Sequence, residues 1–156
     1  MRRQDREITD RAELIRVMRS CDVCRLALND ESGYPYILPL NFGLIDDGET
    51  VELYFHGATT GTKYELIAKD NRASFEMDWK HELQYEADKC RCTMTYESVI
   101  GRGYITILPD EEKVKALDAI MNQYHPDGTP YNPAAIARTT VMKLTVTQMT
   151  GKAKTH

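Results

Sequence analysis

The chain has 156 residues, of which 42% are hydrophobic, and a formal net charge of −4. This length suits a single domain over residues 1–156, and the acidic balance without a basic face disfavours nucleic acid as a partner. No run approaches the ~20 apolar residues of a membrane span, and an N-terminus that carries Arg2, Arg3 and Arg6 does not resemble a secretory signal. We therefore expect a cytoplasmic protein that does not bind a membrane.

Helix signals and alternating apolar residues predict the elements in chain order. Thr9 or Asp10, followed by Glu13, resembles a capping box and predicts a helix that ends near Ser20. A second helix is predicted from Lys63, after a strand that ends at about residue 55. The strands predicted by period-2 alternation and turn residues are 23–28, 34–44, 50–55, 73–79, 90–108 and 141–149.

The second of these strands contains two prolines. Pro35 and Pro39 cannot donate to a ladder, so we expect an irregular strand or an open edge around residues 39–43. An open edge leaves backbone groups free to bind a ligand.

The segment 55–63 joins a strand to a helix through small and hydroxyl residues. Such an elbow presents free backbone N–H groups and partial positive charge at the helix N-terminus, which suits a phosphate group. Thr59, Thr60, Thr62 and Lys63 could add donors. The alternative is structural: Thr59 or Thr60 would be an ordinary helix cap, Lys63 a solvated cation and His56 a strand-end histidine.

In the second half of the chain the sequence predicts a long bent strand, one full helix and several irregular segments. Residues 80–89 are polar and indicate a loop, while Gly101 and Gly103 indicate a bend in the long strand 90–108. A helix is predicted after Pro109, with its apolar stripe facing the core. The remaining predictions are a surface loop over 125–133, a short helical turn over 134–138 and a mobile polar tail over 150–156.

The four cysteines form a C-x-x-C and a C-x-C pattern. Paired motifs of this kind can build a zinc site from Cys21, Cys24, Cys90 and Cys92. The first pair straddles a predicted helix end and strand start, without the tight knuckle of a structural zinc site. Free, partly buried thiols are favoured, and we predict no metal site.

Six antiparallel strands with a few helices at their ends predict a mainly β or α+β fold, a closed or partly closed barrel. A parallel sheet is disfavoured because strands and helices do not alternate regularly.

Several segments together resemble the flavin-binding split-barrel family, the pyridoxamine 5′-phosphate oxidase-like proteins, and especially its nitroimidazole-resistance (Nim-type) branch. The matching segments, in family order, are the lead from Arg2-Arg3 to Thr9-Asp10, then 35–43, 54–58 with Gly61 and Lys63, 96–103, 113–121 and 150–152. The arginine- and lysine-rich phosphate clamp of the true pyridoxamine phosphate oxidases is absent from the sequence, so their substrate is not assigned.

The resemblance implies a six-stranded antiparallel split barrel that forms a homodimer and holds FMN at the subunit interface. Carried onto this chain, it implies that residues 39–42 border the isoalloxazine ring, that residues near the elbow surround the phosphate, and that a neighbouring strand lines the same pocket. The cofactor-binding residues implied in this way are Pro39, Leu40, Asn41, Phe42, His56, Gly57, Ala58, Thr59, Lys63, Tyr96, Ser98 and Val99.

The resemblance implies two functions. The first is an FMN-dependent oxidoreductase that passes electrons from NAD(P)H to an electron-poor small molecule such as a nitroaromatic, with His56 as the candidate catalytic residue because its charge changes near pH 7. The second is a protein that binds or senses flavin or haem without turnover.

Overall fold

The computed structural model describes residues 3–125, 128 and 132–155. The strands are β1 (Glu7–Ile8), β2 (Cys24–Leu28), β3 (Tyr36–Leu40), β4 (Gly43–Asp46), β5 (Val51–Gly57), β6 (Arg72–Glu86), β7 (Arg91–Ile107) and β8 (Thr140–Lys154). The helices are α1 (Arg11–Ser20), α2 (Thr62–Lys69), α3 (Lys113–Tyr124) and α4 (Pro133–Ile136), with 3-10 turns at Gln4–Arg6, Ala87–Lys89 and Asp110–Glu112. Among the helices in these ranges, none is long and apolar enough to cross a bilayer.

The strands form one antiparallel sheet in the order β3-β2-β6-β7-β8-β5-β4, with β1 added beside β8. The mainly β class and the antiparallel arrangement are confirmed. The number of strands is eight rather than six, because residues 34–44 divide into β3 and β4 and because Glu7–Ile8 pairs with β8.

The two ends of this sheet are β3 and β4, which are consecutive in the chain and joined only through Asn41 and Phe42. The expected irregularity around residues 39–43 is therefore the open seam of the barrel. Pro39 lies on the terminal strand β3, where a missing N–H is tolerated.

The main core fills the space between the sheet, α1 and α2. Asp10 caps α1 by accepting a hydrogen bond from the Glu13 N–H at 3.2 Å, as the capping box predicts. Fully buried core side chains include Val17, Met18, Leu26, Phe55, Met77, Val99 and Leu144. This core holds β5 and α2, and hence the elbow between them, in place.

A second, smaller core lies between α3 and the strands β4, β5 and β8. A Cβ on Gly43 would lie 2.4 Å from the backbone of Ala119 and Ile120, so only glycine permits this close approach. On α3 the side chains that face this core are Ala116, Ala119 and Ile120, whereas Val114 is exposed.

Two predictions about irregular segments are wrong. Residues 80–86 continue β6 beyond a bulge after Trp79 and pair with the first residues of β7, so the predicted loop is mostly strand. The predicted mobile tail is also largely strand, because β8 extends to Lys154 and pairs there with β7 and, at Gly151 and Lys152, with β1.

Two other expectations involve residues outside the described ranges. The N-terminal lead includes Arg2, which lies outside these ranges, and so does most of the predicted loop over 125–133. The short helical turn predicted over 134–138 is present as α4.

Candidate functional site

The elbow between β5 and α2 is the first part of the candidate site. Gly61 is the N-cap of α2, with φ +148°, and no side chain caps the helix. The structural alternative, in which Thr59 or Thr60 caps the helix, is therefore wrong. Both threonines are exposed, so the free N–H groups of the first helical turn and the nearby hydroxyls are available to an anion.

Lys63 folds back over this elbow. A Cβ built on Gly57 would lie 3.1 Å from the Lys63 Nζ, and one built on Gly61 would lie 3.6 Å from it. The Nζ also lies 4.5 Å from the centroid of the Tyr64 ring. Within the described part of the chain Lys63 forms no ion pair, so its charge is not neutralised by a carboxylate.

Tyr64 holds the loop in shape, and the sequence analysis missed it. Its hydroxyl donates a hydrogen bond to the Ala58 carbonyl at 2.5 Å, and the same hydroxyl would lie 2.8 Å from a Cβ on Gly57. An aromatic residue at the third position of a helix gives no sequence signal for such a contact. The elbow is therefore a closed turn in which the Lys63 and Tyr64 side chains lie against the backbone of Gly57.

His56 lies at the exposed end of β5, opposite Val141 of β8. Although its side chain is accessible, partial desolvation lowers the pKa of His56 below its usual value. The imidazole is then neutral at pH 7. This favours a hydrogen-bonding contact over the role of a charged proton donor.

The four predicted residues of the β3 seam face different ways. Pro39 and Asn41 are exposed, while Leu40 packs against the main core and Phe42 is 0% exposed. The Phe42 N–H donates to the Tyr124 hydroxyl at 3.1 Å. Only Pro39 and Asn41 therefore present side chains that a ligand at this seam could contact.

Tyr96 and Ser98 lie on the outer face of β7, whereas Val99 is fully buried. The Tyr96 hydroxyl accepts a hydrogen bond from Arg6 at 3.5 Å, and the Lys152 Nζ lies 5.8 Å from its ring centroid. Burial by itself would raise the pKa of Tyr96, but hydrogen bonds from Arg6 and Lys152 lower it overall. This end of β7 is thus a second, separate cationic region.

Within one chain these two regions lie at opposite ends of β8. His56 pairs with Val141 near the start of β8, and Tyr96 pairs with Lys154 at its end. A strand of 15 residues is roughly 50 Å long at ~3.3 Å per residue. In addition, β8 lies between β5 and β7, so β7 is not the strand next to the elbow.

A buried carboxylate beside Tyr96 was also missed by the sequence analysis. The Glu97 carboxylate, 6% exposed, accepts hydrogen bonds from Arg16 at 2.6 Å, Trp79 Nε1 at 2.9 Å and Lys80 at 3.5 Å. Burial opposes ionisation, but the hydrogen bonds from Arg16 and Trp79 and the charge of Lys80 lower the pKa of Glu97. We name these four residues the Glu97 cluster. The three donors meet on the Glu97 carboxylate, and Arg16 pairs in addition with Glu13 at 2.6 Å. The cluster therefore joins α1, β6 and β7.

The cysteines do not converge. Cys21 and Cys24 are buried, and Cys90 and Cys92 are exposed. Burial raises the pKa of Cys21 to about 12 and that of Cys24 further, so these thiols stay protonated. In the ranges that the structure covers, no group of three or more His, Cys, Asp or Glu side chains could hold a metal ion.

Comparison with known proteins identifies the family. The model of the pyridoxamine 5′-phosphate oxidase family matches residues 10–153. The chain belongs to this family. No curated protein matches the chain at the level of sequence.

Solved structures of other proteins share the fold. A Bacteroides thetaiotaomicron protein, provisionally assigned to 5-nitroimidazole antibiotic resistance, is 33% identical with a TM-score of 0.82, over 94% of this chain and 86% of that one. The FAD and heme binding protein of Mycobacterium smegmatis is 20% identical with a TM-score of 0.81, over 97% and 74%. The flavocytochrome Anf3 of Azotobacter vinelandii is 16% identical with a TM-score of 0.78, over 100% and 72%. The last two show the fold alone. The family predicted from the sequence motifs is confirmed.

Proposed function

We propose that this protein is a homodimeric FMN-dependent oxidoreductase that uses electrons from NAD(P)H to reduce an electron-poor small molecule. The observation that carries the proposal is the N-terminus of α2, which no side chain caps. Beside it lies the Lys63 Nζ, close to Gly57 and without a carboxylate partner among the described residues. Membership of the pyridoxamine 5′-phosphate oxidase family supports it.

The elbow fits the phosphate end of FMN. The Tyr64 N–H already donates to the Gly61 carbonyl. The other first-turn N–H groups of α2, the exposed hydroxyls of Thr59 and Thr60 and the Lys63 ammonium are donors for a ligand, and an anion is favoured at a helix N-terminus. Glycine at position 57 lets the ends of the Lys63 and Tyr64 side chains lie against the backbone, because a Cβ there would be only 2.8 Å from the Tyr64 hydroxyl and 3.1 Å from the Lys63 Nζ. A phosphate bound here would pair with the uncompensated charge of Lys63.

The flavin ring requires a flat surface and a few donors or acceptors at its polar edge. Pro39 and Asn41 offer both at the open seam of the barrel. Tyr96 and Ser98, which the family resemblance also implicates, lie at the far end of β8 from the elbow. If both regions contact one flavin, they come from two chains, which is why we propose a homodimer in which each ligand site uses two copies.

Bound FMN would supply the electron transfer, and the protein would supply the binding site and its electrostatics. Lys63 and the helix N-terminus hold the anionic end, and the seam at Pro39 and Asn41 holds the ring. His56, neutral at pH 7, offers a hydrogen bond to the bound ligand or its reaction partner from the end of β5.

A nitroaromatic compound is our proposed acceptor class. It follows from the 33% identity with the Bacteroides thetaiotaomicron protein provisionally assigned to 5-nitroimidazole resistance. The similarity to the Mycobacterium smegmatis FAD and heme binding protein favours the second candidate, a flavin- or haem-binding protein without turnover.

The first experiment is an absorption spectrum of the purified protein, followed by titration with FMN. We expect a flavin spectrum or saturable FMN binding, rapid bleaching by NAD(P)H and reoxidation that depends on an added nitroaromatic. Bound flavin that neither bleaches nor exchanges would identify the non-catalytic binder, and a haem spectrum would identify a haem protein. A protein that has no flavin and does not bind FMN contradicts both flavin proposals.

A substitution at the elbow tests its role as the phosphate site. Gly57→Val places a side chain against Tyr64 and Lys63, whose flexible ends can move, so the fold should survive while FMN binding is lost. Ser32→Val, in the exposed turn after β2, is the control and should retain FMN. Normal flavin binding by Gly57→Val would place the phosphate elsewhere.

Mixing two variants tests the shared site. Lys63→Ala damages the elbow and Ser98→Trp blocks the outer face of β7, so each homodimer should bind FMN poorly. Random reassembly should restore about one quarter of the sites, because half of the dimers are mixed and each mixed dimer has one undamaged site. No recovery, with dimerisation shown by sedimentation, would mean that each site lies within one chain.

A further inference from the structure

The hairpin formed by the end of β6 and the start of β7 extends beyond the rest of the sheet. Residues 82–86 pair with residues 91–95, and we name residues 82–95 the arm. The neighbouring strands do not reach it, since β2 pairs with β6 only over residues 73–76 and β8 pairs with β7 only from residue 96 onward. Among the described strands, none lies beside the arm as a third strand.

One face of the arm is apolar. Directly opposed residues of an antiparallel pair project to the same side, and Leu83 lies opposite Met94 while Tyr85 lies opposite Cys92. Leu83 is 63% exposed, Tyr85 68% and Met94 44%, and Cys92 is exposed as well. Neither core includes any of these side chains. The described part of the chain therefore leaves this face uncovered.

The charged residues of the arm lie on its other face or at its turn. Gln84 and Thr93 form the pair between the two apolar pairs and project to the opposite side. At the turn Glu86 pairs with Lys89 at 2.6 Å and with Arg91 at 3.7 Å. Because the apolar face carries no formal charge, a second chain of net charge −4 can approach it without like-charge repulsion at the contact.

The apolar face continues along β7 into the face that the proposed homodimer uses. Met94, Tyr96 and Ser98 alternate along β7 with Thr95 and Glu97, which are buried, so the first three project to one side. Met94 lies two residues, or roughly 7 Å, from Tyr96 along the strand. A second copy that meets Tyr96 and Ser98 therefore has the arm directly beside it.

We infer that the arm of each chain packs its apolar face against a second copy of the same chain. A two-stranded hairpin alone in water is only marginally stable, and a second copy supplies the surface that the arm lacks. In a dimer with two-fold symmetry both arms are covered in the same way. This contact rests on the homodimer of the proposed function, and it assigns to dimerisation a surface that lies outside the flavin-binding residues.

The experiment measures the dissociation constant of the dimer by sedimentation equilibrium without flavin. Leu83→Glu places a charge on the apolar face, and we expect it to weaken the dimer at least about hundredfold, which is about tenfold for each of the two arms. Gln84→Glu adds the same charge to the next residue, on the opposite face of the arm. This matched control should change the dissociation constant by less than about threefold.

Met94→Glu is a second variant, for the case in which Leu83→Glu does not fold. It places the charge on the same face from the opposite strand, and we expect the same weakening of the dimer. Urea unfolding of each variant checks that the chain is folded, as we expect because both positions are exposed in the single chain.

Two results would overturn the contact. One is a wild-type protein that is monomeric, which would also contradict the proposed homodimer. The other is a dimer that neither Leu83→Glu nor Met94→Glu weakens more than Gln84→Glu does, and this would assign the arm to another partner while leaving the homodimer intact. Because dimerisation is measured without flavin, a protein that dimerises through the arm but does not bind FMN contradicts the flavin function alone.

Discussion

The elbow and the Glu97 cluster both concentrate polar groups, but they use them differently. In the Glu97 cluster the carboxylate is almost completely buried and accepts hydrogen bonds from Arg16, Trp79 and Lys80. At the elbow the helix has no side-chain cap and Lys63 has no carboxylate partner among the described residues. Groups that satisfy one another hold elements together, whereas groups left unsatisfied at the surface are available to a ligand.

This difference predicts that substitutions in the two regions affect different quantities. A change in the Glu97 cluster should lower the free energy of unfolding and leave ligand affinity nearly unchanged in the molecules that remain folded. A change at the elbow should do the reverse. The predictions below test this contrast.

The largest effect is expected for Glu97→Ala. Removing the carboxylate leaves Lys80 and the Trp79 N–H without this acceptor, while Arg16 keeps Glu13. Loss of one partner from a buried charge pair costs about 3–5 kcal/mol. Because Arg16 and Lys80 are 42% and 40% exposed, water can solvate them, and we expect about 3 kcal/mol. The measurement is urea unfolding, with Glu49→Ala in an exposed turn as the control. A loss below about 0.5 kcal/mol would show that the cluster does not stabilise the fold.

The next effect is expected for Lys63→Ala and concerns ligand affinity. If the ammonium binds the FMN phosphate, its removal should weaken FMN by about 1.5–3 kcal/mol, with little change in unfolding. Lys69→Ala, at the other end of the same helix, removes the same charge from a lysine paired with Glu31 and is the matched control. Equal FMN affinity in the two variants would contradict a phosphate role for Lys63.

Much of the fold follows from local sequence signals. The capping box at Asp10, the alternation in β2, β5 and β7, and the prolines at the open seam all act over a few residues, and the structure agrees with each. The elbow was found for the same reason, since a strand end, two glycines and a lysine lie within nine residues of sequence.

The remaining features depend on contacts between distant residues. Residues 80–86 have a polar composition, but the start of β7 pairs with them, and the Thr95 hydroxyl donates to the Lys80 carbonyl and accepts from the Glu82 N–H across the bulge. The tail is ordered because β1 and β7 lie beside it. The Glu97 cluster joins residues 81 positions apart, and no local pattern indicates such a contact.

A smaller effect concerns acid stability. Since the pKa of Glu97 is lowered in the folded protein, its stabilising contribution is complete above the unfolded value of about 4.3 and is lost as the pH falls through the folded value. Glu97→Gln cannot lose this contribution. We therefore expect the difference in unfolding free energy between wild type and Glu97→Gln to shrink as the pH falls from 6 to 3. Other carboxylates titrate in both proteins and cancel, so a difference independent of pH would mean that folding does not lower the pKa of Glu97.

The smallest effect is expected for Tyr64→Phe, which should change both the free energy of unfolding and the affinity for FMN. The substitution removes the hydrogen bond to the Ala58 carbonyl but keeps the ring that packs on the core and lies 4.5 Å from the Lys63 Nζ. One neutral hydrogen bond contributes about 0.5–1.5 kcal/mol, and at this exposed loop we expect the low end in urea unfolding. If the hydroxyl shapes the phosphate site, FMN affinity should fall by a comparable amount, because the loop must then be ordered on binding. A change in stability without any change in affinity would assign Tyr64 to the fold alone.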